Sequence, residues 1–376
     1  MHRIKYISFG QDNGYSNAAS ALIQKLREEG VDVDRDNVAP GSPFKTAVVK
    51  SSLQQENECS AVIIHTIPEY FPDQYRKARD LYPRARIWGY TAWETDQIPA
   101  HWPALINLLD GVFVPSNWNK EVFVRCGIVI PVCVLPHIFE DWKHADKSCP
   151  LPVSDGSFCF YTIGEWSERK NLPALILAFH QEFMPEENVT LVVKTGLLDW
   201  TSYKRRCRSA FRRSFGRSAA AFRRLKRLHR IGGNVIHMNG LLRPEQICFL
   251  HQRGDCFVTA SRGEGWGLGA YEAAFSGNPV IAPAQGGLLD FLPPEHTYFA
   301  AYQLIPVDTV FGRESYSANQ LWADVDQSAL RKLMRLVFED QMKARHKGAA
   351  LKEYVHQKFE GRKIAQACLA AIYEKV

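Results

Sequence analysis

The sequence predicts an α/β protein made of two successive doubly wound units, and three observations carry that prediction. Short, near-continuous apolar runs alternate with amphipathic helical stretches from residue 3 to residue 137. That pattern belongs to a parallel sheet covered on both faces. One polar, proline-bearing, aperiodic stretch, Ile138 to Gly156, then interrupts it as a linker would. The same alternation restarts beyond the interruption. A chain of 376 residues has room for two such units. The expected division is 1–150, then 151–355, with 356–376 as a closing helix.

Taken in order, "RIKYISFG" reads as the first strand, and "AASALIQKLREEG" as a helix whose Ala21, Leu22 and Leu26 share one face. Gly30 is placed to end that helix. "VDVD", Val31 to Asp34, is spaced like a metal-binding Asp-x-Asp, but it follows a helix end and reads as a solvated turn. "SAVIIHT", "ARIWGYT" and "GVFVPS" are buried strands, "WNKEVFVRCG" a short helix, and "PVCVLPH" a further strand. After the linker come strand "SFCFYTIG", helix "LPALILAFHQEF", strands "VTLVVKT" and "NVIHMNG", and helix "PEQICFLHQRG". Strand "DCFVTAS", helix "GAYEAAFSG" and strand "PVIAPA" complete the alternation. Beyond Asp308 the pattern weakens, and the remainder reads mainly as helices.

Apolar residues make up 46% of the chain and charged residues 23%, as in a globular protein with a sizeable core. No run approaches the roughly 20 apolar residues that span a bilayer, and "MHRIKYISFGQDNGYS" lacks the apolar centre of a signal peptide. Nine scattered cysteines without a Cys-x-x-Cys pair point to reduced thiols in a cytoplasmic protein. The net charge of +6 is local: Lys204 to Arg230 carries twelve Lys and Arg and no acid, leaving 34 basic against 40 acidic residues elsewhere.

The chemistry concentrates in "ASRGEGWGLGAYEAAFSGNPVIAPAQGGLLDFL", Ala260 to Leu292. A strand ends, glycines at 263, 265, 267 and 269 free the backbone, and a helix opens. Such a unit turns unpaired N–H groups and a positive helix end toward a ligand, which suits phosphate. Glu264 and Glu272 are negative, so beside phosphate they fit hydroxyls: a carboxylate accepts two O–H bonds from a sugar or ribose diol. An ordinary helix start with acids near its positive end is the plainer account of the same residues. A second cluster, "GEWSERKNLPALILAF", puts Arg169 and Lys170 at another strand-to-helix turn, and "LVVKTG" ends the next strand on Lys194. Cations from adjacent strand ends would converge on one sheet edge and neutralise a diphosphate. Ligands of open α/β sheets bind at that edge, and the expected site lies between the two units.

Together these pieces resemble the retaining GT-B glycosyltransferases, in particular family four of the sugar transferases. "EGWGLGAYE" matches that family's Glu-x7-Glu signature, "GGLLD" its glycine pair followed by an acid, and "GEWSERKN" its phosphate-binding turn. "GQDNGYSNAASALIQKLREEGVDV" is similar to the family's opening glycine loop and helix. "GVFVPSNWNKEVFVRCGI" with "VCVLPH" is similar to its strand-helix-strand before the linker. The basic segment and Tyr302 to Asp326 lie outside the likeness.

The resemblance implies two Rossmann-like domains facing a central cleft, with the C-terminal helix packed back on the N-terminal domain. It implies transfer of a mannose- or glucose-type hexosyl group from a GDP- or UDP-linked sugar to a hydroxyl of a saccharide or lipid-linked acceptor. The configuration would be retained, with neither a metal nor a cofactor. Glu264 would contact the donor sugar, Glu272 the ribose hydroxyls and Lys170 the diphosphate. Gly265, Gly267, Leu268, Gly286 and Gly287 would complete the donor loop, with Gly14 reaching the diphosphate from the other domain. Two positions depart from the family. Glu165 stands where an arginine is usual, so Arg169 and Lys194 must supply charge. "GYTAWETDQIP" stands where many members have a histidine, which makes Glu94 or Asp96 the candidate to orient the acceptor. His65 is either a further acceptor-side residue or a histidine closing its strand.

In the basic segment Phe211, Phe215, Ala219, Phe222 and Leu225 make one helical stripe with Lys and Arg on the other faces. Such a helix fits an anionic membrane at the cytoplasmic face, the favoured reading; the alternative is that it docks its stripe on the domain. Nucleic acid is the less favoured partner. Two rival functions remain at this level: a nucleotide-sugar epimerase of the same fold, and a non-enzymatic protein binding nucleic acid or anionic lipid through 204–230.

Overall fold

The computed structural model describes residues 2–10, 14–38, 59–139, 146, 151, 153–201, 216–307 and 315–373. They form two compact units, residues 1–140 with 357–376, and residues 141–356.

In the first unit, strands β1 (Arg3–Phe9), β2 (Asp32–Val38), β3 (Ala61–His65), β4 (Arg86–Tyr90), β5 (Gly111–Val114) and β6 (Val132–Val134) alternate with helices. The helices are α1 (Gly14–Glu28), α2 (Phe71–Leu81), α3 (Trp102–Ile106) and α4 (Asn117–Arg125). The strands make a parallel sheet in the order β2-β1-β3-β4-β5-β6. β3 is buried at all five positions, as its apolar run requires. α1 buries Ala21, Leu22 and Leu26 as predicted and stops where Gly30 turns to φ +80°.

"VDVD" corrects the reading of a solvated turn: Asp32 opens β2, paired in register with β1. Asp34 and Asp36 carry negative charge to the sheet edge, where the buried Lys5 ammonium meets them at 2.8 and 2.9 Å. An edge strand with acids on its open side resists further pairing.

The second unit holds β7 (Phe158–Trp166), α5 (Leu172–Glu182), β8 (Val189–Asp199), β9 (Gly216–Arg217), α6 (Ser218–His229), β10 (Val235–Asn239), α7 (Pro244–Arg253) and β11 (Cys256–Val258). It continues with α8 (Leu268–Ser276), β12 (Val280–Pro283), β13 (Tyr298–Ala300), β14 (Tyr302–Pro306), β15 (Leu321–Val325), α9 (Gln327–Glu339) and α10 (Gln341–Lys358). Its main sheet runs β10-β8-β7-β11-β12-β13, all parallel, with β9 antiparallel on β8. Phe179 and Phe183 of the α5 region pack edge-on or tilted against Phe160 and Phe338 in the core. Burying each such ring stabilises the unit by about 1.5–3 kcal/mol.

The expected single stripe from Phe211 to Leu225 is not one helix, because Gly216 and Arg217 pair with β8 as a strand before α6 begins. Phe211 and Phe215 lie outside the described residues. Phe222 packs against Trp166 and His237, with Ala221 and Leu225 against the core. The apolar side of α6 therefore faces the domain, while Arg223, Arg224 and Arg227 are exposed. The linker residues 140–145, 147–150 and 152 also fall outside the described set.

The last helix, α11 (Gly361–Tyr373), belongs to the first unit. It packs on α1, with Arg362 and Gln366 on Glu29, Tyr373 on Ser60, and Arg86 donating to the Ile372 carbonyl.

Candidate active site

β7 runs into the turn 167–171, where the chain must bend back to start α5. Asn171 sits there at φ 47°, ψ 38°, a left-handed conformation that asparagine tolerates better than most side chains. This turn presents Arg169 and Lys170. β11 runs into the glycine loop that carries Glu264 and ends at α8, capped by Gly267 at φ 96°. The two loops meet at Glu264. Lys170 Nζ lies 2.5 Å from Glu264 Oε1, and Arg169 Nη1 lies 3.1 Å from Oε2. Arg169 also donates to the Gly263 carbonyl at 2.8 Å and faces Glu165 at 3.5 Å. Glu264 is 7% exposed. Burial pushes its carboxyl up, but Lys170 and Arg169 outweigh that and hold it at about 2.

The glycine pair after β12 forms the third wall. The Gly287 amide donates to the Glu264 carbonyl at 2.8 Å. A Cβ on Gly286 would lie 2.6 Å from the Glu264 carbonyl oxygen, and one on Gly287 would lie 2.0 Å from that of Gly265. The sequence requires glycine at both because backbone passes over backbone.

A residue that sequence reasoning missed joins the two loops. The Arg262 amide donates to the Arg169 carbonyl at 2.7 Å, its guanidinium to the Glu168 carbonyl and to Asp324 of β15. Its carbonyl accepts from Ala323 and from Gln285. Asp324 lies far along the chain, so only the arginine's place in a turn of small residues hinted at this hub.

The remaining expected residues are distributed as follows. Glu272, on the second turn of α8, is partly exposed and faces His251 Nε2 at 3.4 Å. Lys194 is buried and donates to the Gly240 carbonyl at 2.9 Å and that of Thr195 at 3.2 Å. Burial lowers its pKa. Leu268 is the first residue of α8.

In the first unit, Gly14 opens α1. Glu94 follows Trp93, whose amide is held by Asn119 and whose indole donates to Thr95. The Asp96 carbonyl accepts from Arg125. His65, at the end of β3, is 1% exposed; it bonds Tyr6 through Nδ1 at 2.8 Å and stacks on Tyr90 at 4.0 Å. The ring is thus an interior support of the strand ends.

Three histidines make the fold acid-sensitive. Burial drives His65 well below its ordinary value and takes His137 and His237 to about 4. The unfolded chain takes up these protons near pH 6.5, and the folded chain only lower. The stability contributed by these histidines is therefore complete above about pH 6.5 and declines as pH falls toward 4, by on the order of 1–2 kcal/mol each for His137 and His237 at pH 5. Glu264 acts in a second window: its contribution is present above about 4.5 and is lost as pH falls toward 2. Thermal melts from pH 7.5 to 4 should show Tm falling already between 6.5 and 5. A melting temperature flat over that interval would contradict the neutral buried imidazoles.

A model of "Glycosyl transferases group 1" matches residues 150–302, and one of "Family 4 Glycosyltransferase in conflict systems" matches 243–367. An uncharacterized protein of Sulfolobus islandicus rod-shaped virus 1 is 24% identical over 208 residues, 55% of this chain. The match covers 54% of that relative, so the chain spans about half its length. Anabaena HepE, solved with UDP and glucose, superposes with a TM-score of 0.70 at 12% identity over 100% of both chains. Sucrose-phosphate synthase from Thermosynechococcus elongatus gives 0.70 at 16% identity over 99% of this chain and 98% of its own. Two overlapping glycosyltransferase models thus match the unit that holds Glu264, and the architectural likeness extends over both units: the chain is built on the GT-B fold, and its second unit is similar to the group 1 glycosyltransferases.

Proposed function

We propose that the protein transfers a mannose- or glucose-type hexosyl group from a nucleoside diphosphate sugar to a hydroxyl of a saccharide or lipid-linked acceptor in glycan synthesis, retaining the anomeric configuration. The observation that carries this reading is the clamp of Arg169 and Lys170 on Glu264 inside a loop walled by Gly286 and Gly287. As the bond from the anomeric carbon to the diphosphate oxygen breaks, its electron pair stays on the diphosphate. Lys170, Arg169 and the first-turn amides of α8, which have no intrahelical partner, stabilise that charge. Glu264, ionised down to about pH 2, is an acceptor for sugar hydroxyls. Glu272 holds the ribose diol. Lys194 adds positive charge by exchanging its carbonyl partners for phosphate, and Gly14, at the start of α1, is a further diphosphate ligand. Glu94 and Asp96 orient the acceptor, with His65 underpinning them.

HepE has been solved with UDP-glucose, so uridine nucleotides head the panel for the test. A thermal-shift screen of UDP, GDP, ADP, dTDP and their sugars should find one that stabilises the fold by about 2.7 kcal/mol at a hundred times its Kd. That shift should be lost or weakened in Glu272→Ala. No shift with any of them at millimolar concentration defeats the proposal.

The exposed Arg223, Arg224 and Arg227 of α6 suit an anionic membrane surface, held by charge because the apolar side is occupied. Each basic residue would contribute about 1 kcal/mol. Sedimentation with phosphatidylserine vesicles should fall sharply with salt and in the triple Arg→Glu variant at these positions. Equal sedimentation of variant and wild type removes α6 from the account, and retention on DNA instead of vesicles would favour nucleic acid.

A further inference from the structure

We propose that His251 is a positioning residue for Glu272, held in one tautomer by an Asn278–Tyr161–His251 chain so that its Nε2 proton faces the carboxylate. The proposal rests on the reading of Glu272 as the ribose ligand.

The direction of each hydrogen bond in the chain follows from what each atom is able to do. Asn278 Nδ2 lies 2.7 Å from the His251 carbonyl and 2.6 Å from the Tyr161 hydroxyl. A carbonyl only accepts, so the amide nitrogen is correctly placed and both its protons are used. The Tyr161 oxygen therefore accepts from Asn278. Tyr161 is fully buried, and burial keeps its phenol protonated. That proton needs an acceptor, and His251 Nδ1 lies 2.7 Å away. A ring whose Nδ1 accepts carries its proton on Nε2. Nε2 points at Glu272 Oε2 from 3.4 Å, a long contact of the kind that tightens when ligand binds.

The chain is also rigid. A Cβ on Gly254 would lie 2.3 Å from the Tyr161 ring, and Phe257 meets that ring edge-on. His251 is 1% exposed at the end of α7. One oxygen of Glu272 is thus fixed from behind, and the carboxylate presents a set orientation to a diol in front. Tyr161, His251 and Glu272 come from three separate elements and Asn278 from the loop after α8, and nothing in their spacing announces the set.

The test measures discrimination between ribose and 2′-deoxyribose by calorimetric titration of the full chain with UDP/dUDP, GDP/dGDP and ADP/dADP. Wild type should prefer the ribonucleotide of the binding pair by about tenfold. Glu272→Ala should bring the ratio to about one. His251→Phe and Tyr161→Phe should each lower it to about threefold or less while leaving the affinity for the deoxynucleotide unchanged, a pattern that general loosening would not give. His251→Gln, which keeps an N–H donor, should restore part of the ratio. Tyr161→Phe alone decides the matter if the ring substitution at 251 does not fold. A ratio lost in Glu272→Ala but kept in both Tyr161→Phe and His251→Phe overturns the positioning role and leaves the site standing. A wild type that binds no pair, or binds both members alike, overturns the site itself.

Discussion

Lys170→Ala should lower kcat/KM for glycosyl transfer by on the order of 10³-fold and weaken nucleoside diphosphate binding as well. Among the described residues Lys170 is the nearest cation to Glu264, and Arg169 is the other that pairs with it. Removing it deletes charge from the leaving-group side and leaves Arg169 to balance Glu264 and Glu165 together. Glu264→Gln should be as damaging to transfer but opposite in its effect on binding. The amide keeps the shape and loses the negative charge, so Lys170 and Arg169 become available to an anion. Kd for the nucleoside diphosphate should stay level or fall, while kcat drops by about 10²-fold or more. The pair of measurements separates the roles: equal losses of binding in both variants would mean that Glu264 only scaffolds the loop.

Gly287→Ala should destabilise the second unit by about 3 kcal/mol or more. The added methyl would meet the Gly265 carbonyl oxygen at 2.0 Å, its carbon at 2.5 Å and the Trp266 nitrogen at 2.9 Å, all of them backbone. No side chain is there to swing away, so the loop carrying Glu264 must move. Tm should fall by on the order of 10 °C, and any nucleotide-induced shift should vanish with it. Gly233→Ala is the control, since nothing lies within 4 Å of its Cβ position, and it should change stability by no more than about 0.5 kcal/mol. A Gly287→Ala variant that melts with wild type would show that the two loops are not in register as described.

The elements that build the clamp were legible because they are locally written. β7, β11 and β12 are apolar runs, α5 and α8 open after glycine- or asparagine-bearing turns, and the cations and acids sit in those turns. What escaped is written non-locally or weakly. β2 was missed because acids occupy its exposed positions and its partner β1 is distant in sequence. α2 buries only Phe71, Gln74 and Ala78, too few apolar positions to mark a helix. β14 is largely exposed and is recognisable as a strand only through its ladder with β15. Arg262 and His251 belong to contacts made across the sheet, which spacing along the chain does not encode. Lys194 was read as the cation that ends its strand, but β8 continues to Asp199, so Lys194 lies at mid-strand, and its carbonyl partners come from β8 itself and from Gly240.

The return of α11 to the first unit sets an order of assembly. Ile364, Ala365, Cys368 and Ile372 are buried there, so the layer of helices over β1 and β2 lacks a member until residues past 360 have been made. The second unit is continuous in sequence and needs nothing downstream of it. During synthesis at about 5–20 residues per second, the unit encoded later would close first. The unit encoded earlier would wait with the face of α1 that meets α11 uncovered, a window in which a chaperone has something to hold.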